Sequence, residues 1–455
     1  MKRMHLFLLA VMVVALTAAA MPTVADAGDY LVISKSGKQP KGLVGKVAAA
    51  GGTVTSTIDA VGIAVASSTD PGFKAKAAGI AGVRAVVPNL VVNWLPGEEV
   101  VTGEDFYNPP NSGDDDFFFD LQWGHDAVDA PEAWNAGYRG AGAVVAVLDG
   151  GFDSYHPDLK PNIMETVSFV PDEDPEYALP DVFSHGSHTA GTVAAADNGF
   201  GTIGVAPEAE LMLVKVLSDN GSGAFSWIIE GIIYAADNGA DVISMSFGAY
   251  LEKSGFCNEE VCFTAREANE LKNAIARATT YAYQKGVTVV ASAGNDAIDF
   301  DHTADLIHVP SDAPHVICVS ASAPVGWATG MDPFLDYPAS YTNYGQSTID
   351  FAAPGGDYVY PDYENICVVG GLVNYCFVFD YVFSTGNNGW YWSIGTSMAV
   401  PYVSGVAAII IGMNGSEMTP AQVEAALRKS ADDLGKPGKD DFYGHGRVNA
   451  ANAVD

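Results

Sequence analysis

The stretch VVAVLDGGFD (144–153) runs through five apolar residues without alternation, reaches Asp149, and breaks on two glycines. A strand buried on both faces reads in this way, whereas a half-exposed strand alternates. Similar runs recur at Leu211–Val216, Val242–Ser246, Val287–Ala291 and Val316–Ser320, with amphipathic helical stretches between them at Phe225–Asn238 and Ala265–Lys285. Strand and helix in repeated alternation predict an α/β domain, a parallel sheet covered by helices on both faces. Ligands of such sheets bind outside the carboxyl ends of the strands, which makes Asp149 a candidate functional residue. Taken alone, it reads sooner as an Asp that closes a strand before a turn.

The chain around this domain has 455 residues, 48% of them hydrophobic, enough for one large domain and an accessory one. Asp and Glu number 55 against 22 Lys and Arg, a net charge of −33. Nucleic acid is thereby excluded as a partner, because a phosphate backbone needs a basic face. An aromatic content of 11% excludes gross disorder. The charge is uneven: +5 over residues 1–96, −7 over 97–117 and −31 over 118–455. At the N-terminus Lys2 and Arg3 precede an uncharged apolar run, Leu6–Met21, and then Ala25-Asp26-Ala27. This pattern predicts a signal peptide over residues 1–27 and a secreted protein, with an uncleaved anchor as the other reading. No later run reads as long and apolar enough to span a bilayer, so no membrane association is expected after signal removal.

Residues 28–96 read as strand, helix, strand, twice over: Tyr30–Ser34, a helix through Leu43, Val44 and Val47, Thr53–Thr57, Val61–Ser67, a helix around Phe73–Ala78, and Val83–Val92. That order predicts a small ferredoxin-like α+β domain. It contains no His, Cys or Glu in residues 29–95, and nothing in it looks catalytic. Residues 97–117, with Pro109-Pro110, Gly113 and the run Asp114–Asp116, read as an exposed acidic linker open to proteolysis. Of five cysteines, the local pairs Cys257/Cys262 and Cys367/Cys376 read as loop staples, and Cys318, inside an apolar strand, as a buried free thiol.

Two further blocks carry chemistry. In SHGSHTAGT (184–192) Ser184 can cap a helix, with His185 and His188 one turn apart. A metal reading of this His pair has no carboxylate at the usual spacing. In GTSMAVPYVSGVAAIII (395–411), Ser397 lies just before a long apolar helix that tolerates Pro401 in its first turn. Asp, His and Ser in that chain order differ from the orders of the α/β-hydrolases and of chymotrypsin-type enzymes. With these blocks and with HPDL (156–159), GVAP (204–207), VKVL (214–217), SMSFG (244–248), ASAGN (291–295), AAPGG (352–356) and YGHGRVNA (443–450), the sequence resembles the subtilisin-like serine proteases over residues 121–455. Residues 28–96 resemble that family's inhibitory propeptide.

The resemblance implies a subtilisin-like fold and a secreted serine endopeptidase made as a self-processing zymogen. It implies Ser397 as nucleophile, His185 as general base and Asp149 as the residue orienting it, with Asn295 and the Ser397 backbone N–H as oxyanion donors. It implies that an extended polypeptide substrate lies between Gly221-Ser222-Gly223 and Ser246-Phe247-Gly248 as an added strand. Phe247 with Ser292, Ala293 and Gly294 is expected to wall the primary specificity pocket and to give an apolar preference within a broad specificity. Calcium is expected at Asp158, Asn198 and Asp120, around the loop Asp197–Thr202. No organic cofactor is expected, and the partners are polypeptide substrates and the chain's own propeptide, acting on a monomer.

Departures from the family pattern are Gly150 for a usual Ser or Thr, Ser187 for Thr and Tyr402 for a common His. An enlarged segment, 356–393, is rich in aromatics (Tyr358, Tyr360, Tyr363, Phe377, Phe379, Trp390, Trp392) and is expected to rim the cleft. Two other functions stay open at this point: a dedicated processing protease of narrow specificity, and an inactive binding protein on the same scaffold. The acidic body is expected to attract the basic front piece in a salt-sensitive way and to suit a saline exterior.

Overall fold

The computed structural model describes residues 23–24, 28–96, 100–102, 114–257, 262–329, 334–359, 364–415 and 417–455, with the backbone alone at 23–24, 100–102, Cys257 and Cys262. The signal-peptide reading falls largely outside these residues; Thr23 and Val24 pair antiparallel with Val91 and Leu90.

The front domain has the expected order, β1 (Asp29–Ser34), α1 (Leu43–Ala49), β2 (Thr53–Ile58), β3 (Ile63–Ser67), α2 (Phe73–Ala78) and β4 (Val83–Pro88). Its antiparallel sheet runs β2-β3-β1-β4, the ferredoxin-like arrangement. One face, with Val32, Ala64, Ala66 and Val86, closes on the two helices through Leu43, Val47 and Phe73. The other face, with Leu31, Ile33, Ile63, Val65 and Val87, is buried in a core shared with the main domain. Polar contacts rim this junction: Arg84 Nε donates to Glu270 Oε2 at 2.9 Å, Arg277 donates to Ser34 O at 2.8 Å, and Ser56 Oγ donates to Glu230 Oε1 at 2.8 Å.

After β5 (Leu90–Asn93) and β6 (Val100–Thr102) comes the main sheet. Its strands are β7 (Val144–Asp149), β8 (Ile163–Ser168), β9 (Glu210–Lys215), β10 (Val242–Met245), β11 (Thr288–Ser292), β12 (Val316–Ala323), β13 (Tyr337–Pro338) and β14 (Phe351–Pro354). The order is β13-β12-β11-β10-β7-β9-β8 with β14 also on β12, parallel except for β13. Alternate residues of each strand feed different cores. Val145, Val147, Leu211 and Leu213 pack with helices α3 (His185–Ala194) and α6 (Thr396–Met413), while Ala146, Leu148, Met212 and Val214 pack with α4 (Phe225–Asp237) and α5 (Ala265–Gln284). This is the two-layered burial that continuous apolar strands require.

Helix α6 is long and apolar enough to cross a membrane, contrary to the sequence expectation, but 89% of it is buried among the sheet and its neighbours. The linker reading also changes. Val100–Thr102 pair antiparallel with Ser393, Trp392 and Tyr391. At the other end Asp116 is fully buried, its Oδ1 accepting the N–H groups of Asn198 at 3.3 Å and Phe200 at 3.1 Å. A run of three aspartates reads as solvated, but backbone donors of a neighbouring loop can hold one of them inside.

Cys367 and Cys376 form a disulfide across a short hairpin, and Cys318 is free and buried. Cys257 and Cys262 face each other in register in a second hairpin, their side chains outside the described residues.

Candidate active site

Asp149 ends β7 at the carboxyl edge of the sheet and is fully buried. Ser184 caps α3, its Oγ accepting the Ser187 N–H at 3.1 Å, so His185 is the first helical residue and faces back toward the strand ends. The His185 Nδ1–H donates to Asp149 Oδ1 at 2.7 Å, and that oxygen also accepts the Gly150 N–H at 2.7 Å. Gly150 offers no hydroxyl; Asp149 Oδ2 is met instead by Thr189 Oγ1 at 3.2 Å, a positioning contact the sequence reading did not find. His188 is buried away from this pair, with Val382 O at 3.2 Å from its Nε2, and burial lowers its pKa to about 3. It is a neutral core residue.

Ser397 is the second residue of α6, which packs against α3. Its Oγ donates to Ser246 O at 2.8 Å, and Ser246 Oγ donates to Ser397 O at 2.7 Å. The second bond has a covalent cause. Pro401 lies one turn on, in the second turn of the helix instead of the expected first, and its missing N–H leaves the Ser397 carbonyl to the Ser246 hydroxyl. Asn295 Oδ1 accepts from Thr396 N at 2.9 Å and Thr396 Oγ1 at 2.7 Å. With the oxygen held, its Nδ2 is the end that can donate beside the helix start, where backbone N–H groups are unsatisfied.

The segments read as substrate-binding hold the chain's own front piece. Ser222 and Gly223 pair antiparallel with Asn93 and Val92, Trp94 N–H donates to Gly221 O at 3.0 Å, and Gly248 N–H donates to Trp94 O at 3.1 Å. The Trp94 ring is 1% exposed, 5.0 Å from the ring of Phe225 and 5.7 Å from that of Phe247, with its indole N–H on Gly223 O at 2.9 Å. Phe247, expected at the primary pocket, therefore spends its apolar face on Trp94. Leu95 and Pro96 line one cavity with His185, Gly150, Gly151 and Asp219. Ser292 and Ala293 are buried beside β12, and Gly294, at φ 97°, turns the chain toward Asn295. Of the aromatics in the enlarged segment, Phe379 and Trp392 are fully buried, Phe377 and Trp390 are half-buried, Tyr358 is exposed, and Tyr360 and Tyr363 lie outside the described residues.

Two of the expected calcium ligands come together, the Asn198 side chain hydrogen-bonding Asp158. Asp158 Oδ2 accepts from Thr202 N at 2.9 Å, Thr202 Oγ1 at 3.2 Å and Trp390 Nε1 at 2.9 Å, and burial raises its pKa to about 6. Asp120 stands outside the acidic group that does form, in which carboxylate oxygens of Asp114, Asp115, Asp116 and Asp197 lie within 4.8 Å of one another. Burial, and then Asp114, raise the Asp116 pKa to about 8, a crowding of like charge that a cation relieves. Asn198 joins the two regions, its backbone N–H on Asp116 Oδ1.

A carboxylate-steered histidine at the carboxyl edge of a parallel sheet, with a serine at the start of the adjacent helix, defines a serine peptidase of the Asp, His, Ser chain order. Comparison with known proteins agrees, since residues 140–446 match the model of the subtilase family, Peptidase_S8. Subtilisin E of Bacillus subtilis is 34% identical over 335 residues, 73% of this chain and 71% of its own. Among solved structures, a lanthipeptide protease matches with TM-score 0.59 at 29% identity, covering 74% of this chain and 95% of its own. The epidermin leader peptide processing serine protease of Staphylococcus aureus matches with TM-score 0.72 at 22% identity over 94% of this chain and 97% of its own, a likeness of fold. The chain belongs to the subtilase family and is a serine endopeptidase.

Proposed function

We propose that this chain is a secreted endopeptidase made as a zymogen that cuts itself. In this reading Ser397 Oγ leaves Ser246 O, turns to His185 and attacks the scissile carbonyl as His185 takes its proton. Asp149 and Thr189 hold the ring and its positive charge, and Asn295 Nδ2 with the Ser397 N–H receives the oxyanion. His185 then returns the proton to the leaving amine. Residues 28–96 act as the inhibitor in cis. The carrying observation is where the chain is held on either side of residues 97–99: residues 91–93 are strand-paired with 222–224, and residues 100–102 with Tyr391–Ser393, Ser393 lying four residues before Ser397. That arrangement supports a self-cleavage site between Pro96 and Val100, a narrower interval than the sequence offered.

Secretion is supported by the N-terminal pattern of Lys2, Arg3 and Leu6–Met21 and by the Cys367–Cys376 disulfide, which persists in an oxidising exterior. Calcium is assigned to the oxygen-rich group Asp114–Asp116 and Asp197, whose hard carboxylate donors suit that ion; it would tie the front of the main domain to the loop 197–202. The apolar preference is assigned to the seat of Trp94. A processing protease of narrow specificity is the second reading, favoured by the close fit of that seat and by the likeness to a lanthipeptide protease.

The test is expression of the full precursor with and without Ser397→Ala. The wild type should lose its front piece and the variant should remain full length. A wild type that stays intact under conditions of good folding, or a variant that is trimmed in the same way, would overturn the reading.

A further inference from the structure

The two segments read as walls of the primary pocket, Ser246–Gly248 and Ser292–Gly294, do not enclose an open slot. His308 stands between them. It lies on the strand Leu306–Val309, paired with Ala249–Glu252 so that His308 is opposite Tyr250, and it is 1% exposed. Its Nε2 is 2.3 Å from where a Cβ on Gly248 would sit and 3.2 Å from where one on Gly294 would sit. The Tyr250 hydroxyl lies 2.6 Å from that same Gly294 position. Both glycines thus face side-chain atoms.

The plug is held in place. His308 Nδ1 and Ser311 Oγ are 2.6 Å apart, and the Tyr250 ring lies 4.7 Å from the imidazole. The Tyr250 hydroxyl donates to Asp296 Oδ2 at 2.6 Å and accepts from Asn343 Nδ2 at 2.5 Å. Displacing His308 would break a buried hydrogen bond and a ring contact at once. Burial keeps the ring neutral, with a pKa of about 3, so it offers no charge to hold an acidic side chain.

We propose that His308, backed by Tyr250, closes the primary slot and makes this protease select glycine, or at most alanine or serine, immediately before the bond it cuts. The proposal rests on the endopeptidase reading above and sharpens its substrate class. The chain's own sequence fits. Residue 94 is anchored by Gly248, Pro96 shares a cavity with His185, and the next residue is Gly97, ahead of Glu98 and Glu99. Self-cleavage then falls after Trp-Leu-Pro-Gly. Aromatic selectivity is moved back to the Trp94 seat, and the primary position is chosen by lack of bulk. No pattern in the sequence carried this, because His308 precedes Pro310 in a segment without a recognisable motif.

The experiment uses the full precursor, allowed to process. Sequencing the new N-terminus should give Glu98. Peptides of the form Trp-Leu-Pro-X-Glu-Glu with X as Gly, Ala, Leu or Phe should show kcat/KM at least tenfold higher for Gly and Ala than for Leu and Phe. His308→Gly, which opens the slot, should raise the Phe-to-Gly ratio by at least tenfold. Fragments of a denatured mixed-protein digest provide a readout that needs no variant and should end in small residues. A wild type that reacts with a fluorophosphonate yet cuts best after Leu or Phe overturns this inference and leaves the endopeptidase reading intact. A chain that neither reacts nor cuts overturns both.

Discussion

Replacing Trp94 by Ala tests how the front piece holds the cleft. The indole is almost fully buried between Phe225 and Phe247 and spends its N–H on Gly223 O. Burial of roughly 150 Å² of apolar surface at about 25 cal/mol per Å² gives about 4 kcal/mol. The hydrogen bond adds about 1 kcal/mol, and the methyl group of alanine returns about as much. The net loss of about 3–5 kcal/mol agrees with the usual cost of truncating a buried aromatic. At 1.4 kcal/mol per decade this weakens inhibition by about 10²–10³-fold or somewhat more. The assay titrates residues 28–97, wild type or Trp94→Ala, against the processed enzyme and reads Ki from hydrolysis of a peptide substrate. Circular dichroism of the two pieces checks that each is equally folded, since Trp94 lies outside the front domain's own core. A change in Ki of less than tenfold would refute the reasoning, because it would mean that the strand pairing to Gly221–Gly223 and the polar rim carry the affinity without the indole.

Asn295→Ala should lower kcat by about 10²–10³-fold with little change in KM, as loss of one oxyanion donor does; an equal loss in binding would show that Asn295 acts only through its bonds to Thr396. Removing calcium with a chelator should shorten the thermal half-life, and Asp116→Asn should reduce the difference between chelated and calcium-loaded enzyme; identical half-lives with and without chelator would remove the assigned site. His125 is buried among Phe119, Trp134 and Tyr402, and burial lowers its pKa to about 4. Because this folded value lies below the unfolded one, near 6.5, its contribution is complete above pH 6.5 and is lost as pH falls toward 4. Urea unfolding of His125→Phe against wild type should therefore shift in favour of the variant by about 1.3 kcal/mol between pH 7.5 and 5.5; parallel pH dependences would contradict the neutral buried ring.

The central sheet was legible because its strands are buried on both faces and announce themselves as apolar runs, and the catalytic candidates because each sits at a strand end or helix start. The Asp149–His185 pair and the Ser184 cap follow from that placement. Other contacts depend on residues far apart in the chain. Thr189 reaches Asp149 from the second turn of α3, where a threonine reads as an ordinary helix residue. Phe247 looked like a pocket wall until Trp94, 153 positions earlier in the numbering, was found against it. The aspartates at 114–116 read as linker since charge density favours solvent, but the loop 197–202 supplies backbone donors that only the fold brings near. His308 is the extreme case: its role depends on two glycines that precede it by 60 and 14 residues.

The most direct measurement is the site of covalent capture by a fluorophosphonate in the processed enzyme, read by intact mass and peptide mapping. A single adduct on Ser397, absent in Ser397→Ala and slowed by at least a thousandfold in His185→Ala, is the result predicted. No adduct on a folded, processed enzyme, or an adduct on another serine that persists when Ser397 is replaced, would contradict it.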